Sequence, residues 1–356
     1  MMRWLQLRAA GRVDWVLAVA LIVAAAWYLS PGNANSQTPA GAEPARCAAL
    51  PTRAAAAAPG QFFVPIRSAG TSQPWIYAQA AVAIDAATGR VLYSRGMHER
   101  RPPASTTKIM TAIVALELLR DESETVITQT DASKMRGSSV MGLWPAARVT
   151  YTDLLYGLML PSGNDAAVEL AAHLAPTRQA FVDEMNARVM RMGLEDTHFV
   201  NPHGLDNPEH YTSAYDLAMI ARYAMGNARF REIVGARQHR LSSQLGYDVY
   251  NGNSLLSTYP GAQGVKIGWT NRAGWTFVAS AQRNGREVIV ALLNTPDRNA
   301  DATALLDWSF ASFTWREAER QTGPALRLFD ELGLSAALEP WFAQCLPLPV
   351  AATSSN

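Results

Sequence analysis

Ser105-Thr106-Thr107-Lys108 sets a serine and a lysine three residues apart at the head of a long apolar run. On a helix that spacing puts both side chains on one face, within contact distance. A hydroxyl is a poor nucleophile until its proton is removed, and a desolvated, neutral lysine is able to remove it. Two later segments carry related groups: Ser162-Gly163-Asn164 and Lys266-Ile267-Gly268. Together they would supply a nucleophile, a base, a proton relay, an amide anchor and a cation. Those are the parts of acyl transfer through a serine ester.

Each part has an ordinary explanation beside the chemical one. Ser105 fits a helix N-cap, the commonest use of serine at that place. As a nucleophile there it would profit from the positive end of the helix dipole. Lys108 lies among Ile109, Met110, Ile113 and Val114, where a lysine is costly without a partner or a task. Ser162 and Asn164 fit a turn followed by a cap, or a proton relay and a hydrogen bond to a substrate amide. Lys266 and Gly268 fit an edge-strand lysine beside a bulge glycine. The chemical reading makes them a cation and a place where substrate approaches the backbone.

The elements that must hold these groups follow from the hydrophobic pattern. Ala80–Ala86 and Val91–Arg95 read as strands joined by a turn at Thr88-Gly89. Pro102-Pro103 stops regular structure, and a helix runs from Ser105 to about Leu119. It is apolar on nearly every face, so it is expected to be buried. From Thr150 to about Phe230 the pattern is helical, with helices around Leu154–Met159, Ala166–Leu174 and Phe181–Met192. Trp275–Gln282 and Glu287–Leu293 read as a hairpin closed by Asn284-Gly285, and Ala302–Phe313 as a closing helix. The fold class is α+β, an antiparallel sheet flanked by helices with an inserted helical subdomain.

Composition narrows the function classes. The 356 residues carry a net charge of +1 and show no basic stripe, which argues against nucleic acid as a partner. His198, His203 and His210 lie in a loop without metal-ligand spacing, so no metal and no other cofactor is expected. Arg3, Arg8 and Arg12 precede the apolar run Trp15–Leu29, giving residues 1–30 the form of a secretory signal or an uncleaved N-terminal anchor. Either reading sends the rest of the chain across a membrane, and residues 15–29 would be its tether in the second. Cys47 follows Pro44-Ala45-Arg46, which is not a lipidation context. Cys47 and Cys345 are either a disulfide between the two ends or two unrelated thiols. The divisions expected are a leader at 1–30, an Ala/Pro-rich linker at 31–73, a catalytic domain at 74–315 and a short tail at 316–356. That tail leaves no room for a further folded domain.

The stretch from about Trp75 to Phe313 resembles the D-alanyl-D-alanine carboxypeptidases, the low-molecular-weight penicillin-binding proteins. The text that carries the resemblance is Pro103 to Thr111, Leu154 to Ala167, Thr197 to Asp206, and Gly264-Val265-Lys266. It implies a fold like that of the DD-peptidases and serine β-lactamases. It implies an extracytoplasmic peptidase acting on D-alanine in peptidoglycan stem peptides through an acyl-enzyme on Ser105, with β-lactams as covalent inhibitors. By the same resemblance Lys108 takes the serine proton, and Ser162 and Lys266 share the proton network. The oxyanion hole would be the N–H groups of Ser105 and Trp269.

One residue departs from the pattern. The family's third motif is usually Lys-Thr-Gly, and Ile267 stands where the threonine would help bind the substrate carboxylate. Losing a hydrogen bond to a charged group costs about 1.5–3 kcal/mol. Thr270 and Arg298 are the candidates to compensate, with Arg298 expected to carry most of the recognition. Three other readings compete: a β-lactamase, an endopeptidase cutting D-alanyl cross-links, and a weakly active peptidoglycan-binding protein. The first lacks a Glu-x-x-Leu-Asn segment after Asn164, and the last would leave Ser105, Lys108, Ser162, Asn164 and Lys266 without purpose.

Overall fold

A computed structural model describes residues 62–318, apart from residues 136 and 243. The chain order is β1 (Phe62–Arg67), β2 (Ala80–Asp85), β3 (Val91–Arg95), a 3-10 turn (Ala104–Thr107) and α1 (Lys108–Leu118). The hairpin strands β4 (Thr125–Ile127) and β5 (Arg148–Thr150) lead into α2 (Tyr151–Met159), α3 (Asn164–Leu174) and α4 (Arg178–Arg191). Next come α5 (Ala214–Met225), α6 (Ala228–Gly235), β6 (Gln238–Arg240), β7 (Asp248–Tyr250) and α7 (Leu255–Thr258). The chain then returns through β8 (Ala262–Thr270), β9 (Gly274–Arg283), β10 (Arg286–Thr295), α8 (Arg298–Ser312) and β11 (Phe313–Ala318).

Five strands form an antiparallel sheet in the order β3-β2-β10-β9-β8. Strand alternation divides its residues between two apolar layers. Ile289, Ala291 and Leu293 of β10 join the core made with α1, α2, α3 and α5, while Val288, Val290 and Leu292 face α8. With both faces covered, β10 reads as the unbroken apolar run Val288–Leu293 rather than as alternation. The helical insert lies between β3 and β8, so the sheet is completed by chain that returns after it. This is the α+β architecture read from the sequence.

Helix α1 is buried from Lys108 through Ala115, as its all-round apolar character predicts. The structure starts that helix at Lys108, and Ser105 sits in the tighter 3-10 turn before it. Pro102-Pro103 accounts for the difference, because the chain must bend sharply to enter the helix. The long helical pattern also contains an irregular stretch, 194–213, rich in Asn, Pro, His and Gly.

The fold extends past both boundaries read from the sequence. β1 lies within the segment read as a linker and pairs antiparallel with β11, whose last residues fall in the segment read as a tail. Pro65 interrupts β1 and its partner is some 250 residues away (Pro65 opposite Trp315), so no local strand signal was present. The leader, Cys47 and Cys345 lie outside the described residues.

Candidate active site

Lys108 is the centre of the site. It heads α1 with no exposed surface. Its Nζ lies 3.0 Å from Ser105 Oγ, 2.7 Å from Asn164 Oδ1 and 2.7 Å from the His203 carbonyl oxygen. Burial holds its pKa well below the usual lysine range, and the charge of Lys266 lowers it further against an opposing pull from Asp165. A neutral amine has two N–H groups and one lone pair. The two acceptors, Asn164 and His203, take the N–H groups, and the lone pair is left for the hydroxyl of Ser105. That is the arrangement of a general base.

The amide of Asn164 reaches Lys108 because of the residues around it. Ser162 adopts a positive φ of 67°, which turns the chain from α2 into α3. The Asn164 amide N–H donates to the Ser139 carbonyl at 2.8 Å. Asp165, fully buried in the first turn of α3, accepts the N–H groups of Met141, Gly142 and Leu143 at 2.8, 2.8 and 3.0 Å. It thereby ties the Ser139–Leu143 loop to the segment bearing Ser162 and Asn164. Asp165 is a structural member of the site that the motif alone did not single out.

Strand β8 forms the opposite wall. A Cβ on Gly268 would lie 2.7 Å from the Ser105 amide nitrogen, so only glycine lets the strand come this close to the nucleophile's turn. The close approach expected of substrate is made by the protein's own backbone. Thr276 on β9 supports the same turn by donating to the Pro103 carbonyl at 2.8 Å. Lys266 is buried, and burial together with the charge of Arg298 lowers its pKa to about 7. Its Nζ donates to the Ile267 carbonyl at 3.0 Å.

Ser105, Lys108 and Asn164 are in direct contact. Ser162 and Lys266 are not hydrogen-bonded to them or to each other: the buried Ser162 hydroxyl has no partner among the described residues. The two residues that the resemblance places in one proton network make no direct hydrogen bond in the free protein. Catalytic hydrogen bonds commonly close only once substrate is bound.

Around the substrate side, Ile267 is half-buried, and its Cδ1 lies 2.8 Å from where a Cβ on Gly252 would stand. The isoleucine uses space that glycine leaves. Thr270 does not offer a free hydroxyl: it donates to Asp206 Oδ1 at 2.8 Å and accepts the Ala273 N–H at 3.0 Å. Without substrate, its hydroxyl is already engaged within the protein. The Arg298 guanidinium stacks 4.1 Å above the Trp275 ring and has no carboxylate partner among the described residues. Trp269 is exposed and lies 6.3 Å from Trp275, ring centre to ring centre.

Among the described residues, no group of three or more His, Cys, Asp or Glu is placed to hold an ion. Burial, helped by the charge of Lys108, lowers the pKa of His203 to about 4. Its backbone carbonyl, not its ring, contacts Lys108.

Residues 67–297 match the family model of the D-alanyl-D-alanine carboxypeptidases. The chain is 36% identical over 245 residues to the D-alanyl-D-alanine carboxypeptidase DacF of Bacillus subtilis, covering 66% of this chain and 63% of that protein. It is 38% identical to DacB2 of Mycobacterium tuberculosis, covering 68% of this chain and 83% of that one. Among solved structures, the Streptomyces K15 DD-transpeptidase superimposes with a TM-score of 0.63 at 34% identity, covering 68% of this chain and 100% of that one. A penicillin-binding protein homologue from Mycobacterium tuberculosis gives 0.65 at 35% identity, over 71% of this chain and 99% of that one. The likeness extends through the segments that hold Ser105, Lys108, Ser162, Asn164 and Lys266, and the chain belongs to the D-alanyl-D-alanine carboxypeptidase family.

Proposed function

We propose that the protein is a serine-type D-Ala-D-Ala carboxypeptidase acting on peptidoglycan stem peptides. The observation that carries this reading is the buried Lys108 amine against Ser105 Oγ, with no carboxylate bonded to it among the described residues. Ser105 Oγ attacks the carbonyl carbon between the two D-alanines while Lys108 accepts its proton. The oxyanion lies against the N–H groups of Ser105 and Trp269. The C–N bond breaks, and the proton returns to the leaving amine by way of Ser162. Water then hydrolyses the ester on Ser105, with Lys108 again as base.

Substrate is held by Asn164 at an amide, with Lys266 and Arg298 facing the terminal carboxylate. Ile267 offers that carboxylate no hydrogen bond, so the guanidinium of Arg298 carries most of the recognition. A β-lactam enters the same path and stays on Ser105 as a slow acyl adduct. The catalytic unit runs from β1 to β11. We assign residues 1–30 to a leader or membrane anchor and the catalytic unit to the extracytoplasmic side. Arg3, Arg8, Arg12 and the apolar run after them support this. Among the described residues no helix is long and apolar enough to cross a membrane.

The test is digestion of purified muropeptides followed by mass analysis, with Ser105→Ala as control. Loss of one D-alanine per pentapeptide, absent in the variant, is expected. Cleavage of cross-linked dimers without loss of terminal D-alanine would replace this reading with an endopeptidase. A fluorescent penicillin that is released rapidly instead of remaining on Ser105 would replace it with a β-lactamase.

A further inference from the structure

The Ala104–Ser105 peptide is held in an unusual way, and its two ends serve different purposes. In a trans peptide the carbonyl and the N–H lie in one plane and point in opposite directions. Fixing the Ala104 carbonyl therefore aims the Ser105 N–H. Ala104 has a φ of 50°, the left-handed region that a residue with a Cβ disfavours. A residue held in that conformation needs support from its surroundings.

The support comes from a chain of hydrogen bonds behind the turn. The Val200 N–H donates to His210 Nδ1 at 3.0 Å, so Nδ1 is the acceptor and Nε2 carries the hydrogen. His210 Nε2 lies 2.8 Å from Thr107 Oγ1 and donates to it. Having accepted that bond, the Thr107 hydroxyl directs its own proton to the Ala104 carbonyl at 2.8 Å. His210 is 2% exposed, and burial with the charges of neighbouring histidines and Lys108 lowers its pKa to about 3. The ring thus stays neutral, and its tautomer constant, across ordinary working pH. From the other side Gly204, at a φ of 91°, packs so closely that a Cβ there would overlap the Ala104 carbonyl. The Ser105 nitrogen then faces β8, 2.7 Å from the Cβ position of Gly268.

We propose that Thr107 and His210 are positioning residues for the acylation step: they lock the Ala104–Ser105 peptide so that the Ser105 N–H meets the developing oxyanion. Neither side chain touches substrate. This rests on the reading of Ser105 as the nucleophile. If the lock is lost, the peptide is free to turn about the Ala104 Cα–C and Ser105 N–Cα bonds, and the N–H leaves the oxyanion.

The experiment measures acylation of the full chain by a fluorescent penicillin, separating the acylation rate constant from the non-covalent dissociation constant. Thr107→Val preserves shape and removes the hydroxyl. It is expected to slow acylation by about 10- to 100-fold, less than complete loss of an oxyanion donor, with the dissociation constant unchanged. Thr107→Ser restores the hydroxyl and retains most of the rate. His210→Ala slows acylation to a similar degree, and the double variant is no slower than either single one, because both act through one peptide. His210→Gln, which keeps an acceptor and a donor, recovers part of the rate and guards against a folding defect in the alanine variant. Wild-type acylation by Thr107→Val would overturn the proposal, as would a loss in Thr107→Ser equal to that in Thr107→Val. A wild type that forms no adduct on Ser105 would overturn the reading of the nucleophile itself, and the lock with it.

Discussion

The two walls of the site are built differently. On the α1 wall Lys108 has three partners, and the Pro103 and Ala104 carbonyls are each held by threonine hydroxyls. On the β8 and α8 wall, Arg298 Nε has no partner among the described residues, and Lys266 donates only to the neighbouring backbone; Ser162 Oγ, in the turn between α2 and α3, is also without a partner there. The first wall is preorganised before substrate arrives, so it costs little reorganisation during the reaction. The second leaves polar atoms for the substrate to complete.

Changes on the two walls should therefore fail differently. The largest effect is expected from Lys108→Met, which removes the base. Acylation should fall by about 10²–10⁴-fold, measured as the rate of adduct formation with a fluorescent penicillin. A rate within tenfold of wild type would mean that another group takes the Ser105 proton. Next in size is Ile267→Thr on the recognition wall. It should raise kcat/KM for a D-alanyl-D-alanine peptide by about tenfold or more, with little change for a substrate whose terminal carboxylate is amidated. Arg298→Ala should do the reverse, and equal effects on both substrates would remove the carboxylate from the account.

The titration of the two lysines sharpens the contrast further. kcat/KM should rise through the lowered pKa of Lys108 as the base becomes neutral, then fall above about pH 7 as Lys266 loses its charge. A profile flat between pH 6 and about 9 would show that the Lys266 charge is not used. The smallest expected effect is on stability. Lys266 has a lower pKa folded than unfolded, so between about 7 and its ordinary value the unfolded chain holds more protons, and stability rises with pH. Lys266→Met should therefore melt higher than wild type at acidic pH. The difference should narrow as the pH climbs from about 7 toward 10. A constant difference in melting temperature would contradict the buried charge.

Several elements were legible because their signals are local. Val91–Arg95 and the β9–β10 hairpin were bounded within a residue or two by alternation, apolar runs and the Asn284-Gly285 turn. The helix after Pro103 was legible from its apolar faces, and its burial followed. Others carry no local signal. β1 and β11 define each other across nearly the whole chain, and α8 begins at Arg298, four residues before the apolar pattern suggested. Its Asp297 cap accounts for those residues, since its side chain accepts the N–H groups of Asn299 and Ala300.

The sequence by itself determined that Ser105 and Lys108 meet, because residues three apart at the head of a helix fall on one face. It also marked Lys108 as a buried amine, since the residues around it along the helix are apolar. Only the tertiary structure decided who else meets that amine. Asn164 is 56 positions away and His203 is 95. Distances of that kind are set by packing across the core, not by local pattern. Tertiary contacts likewise tied Thr270 to Asp206 and set Arg298 against Trp275, because a side chain's partners depend on which elements the fold brings side by side.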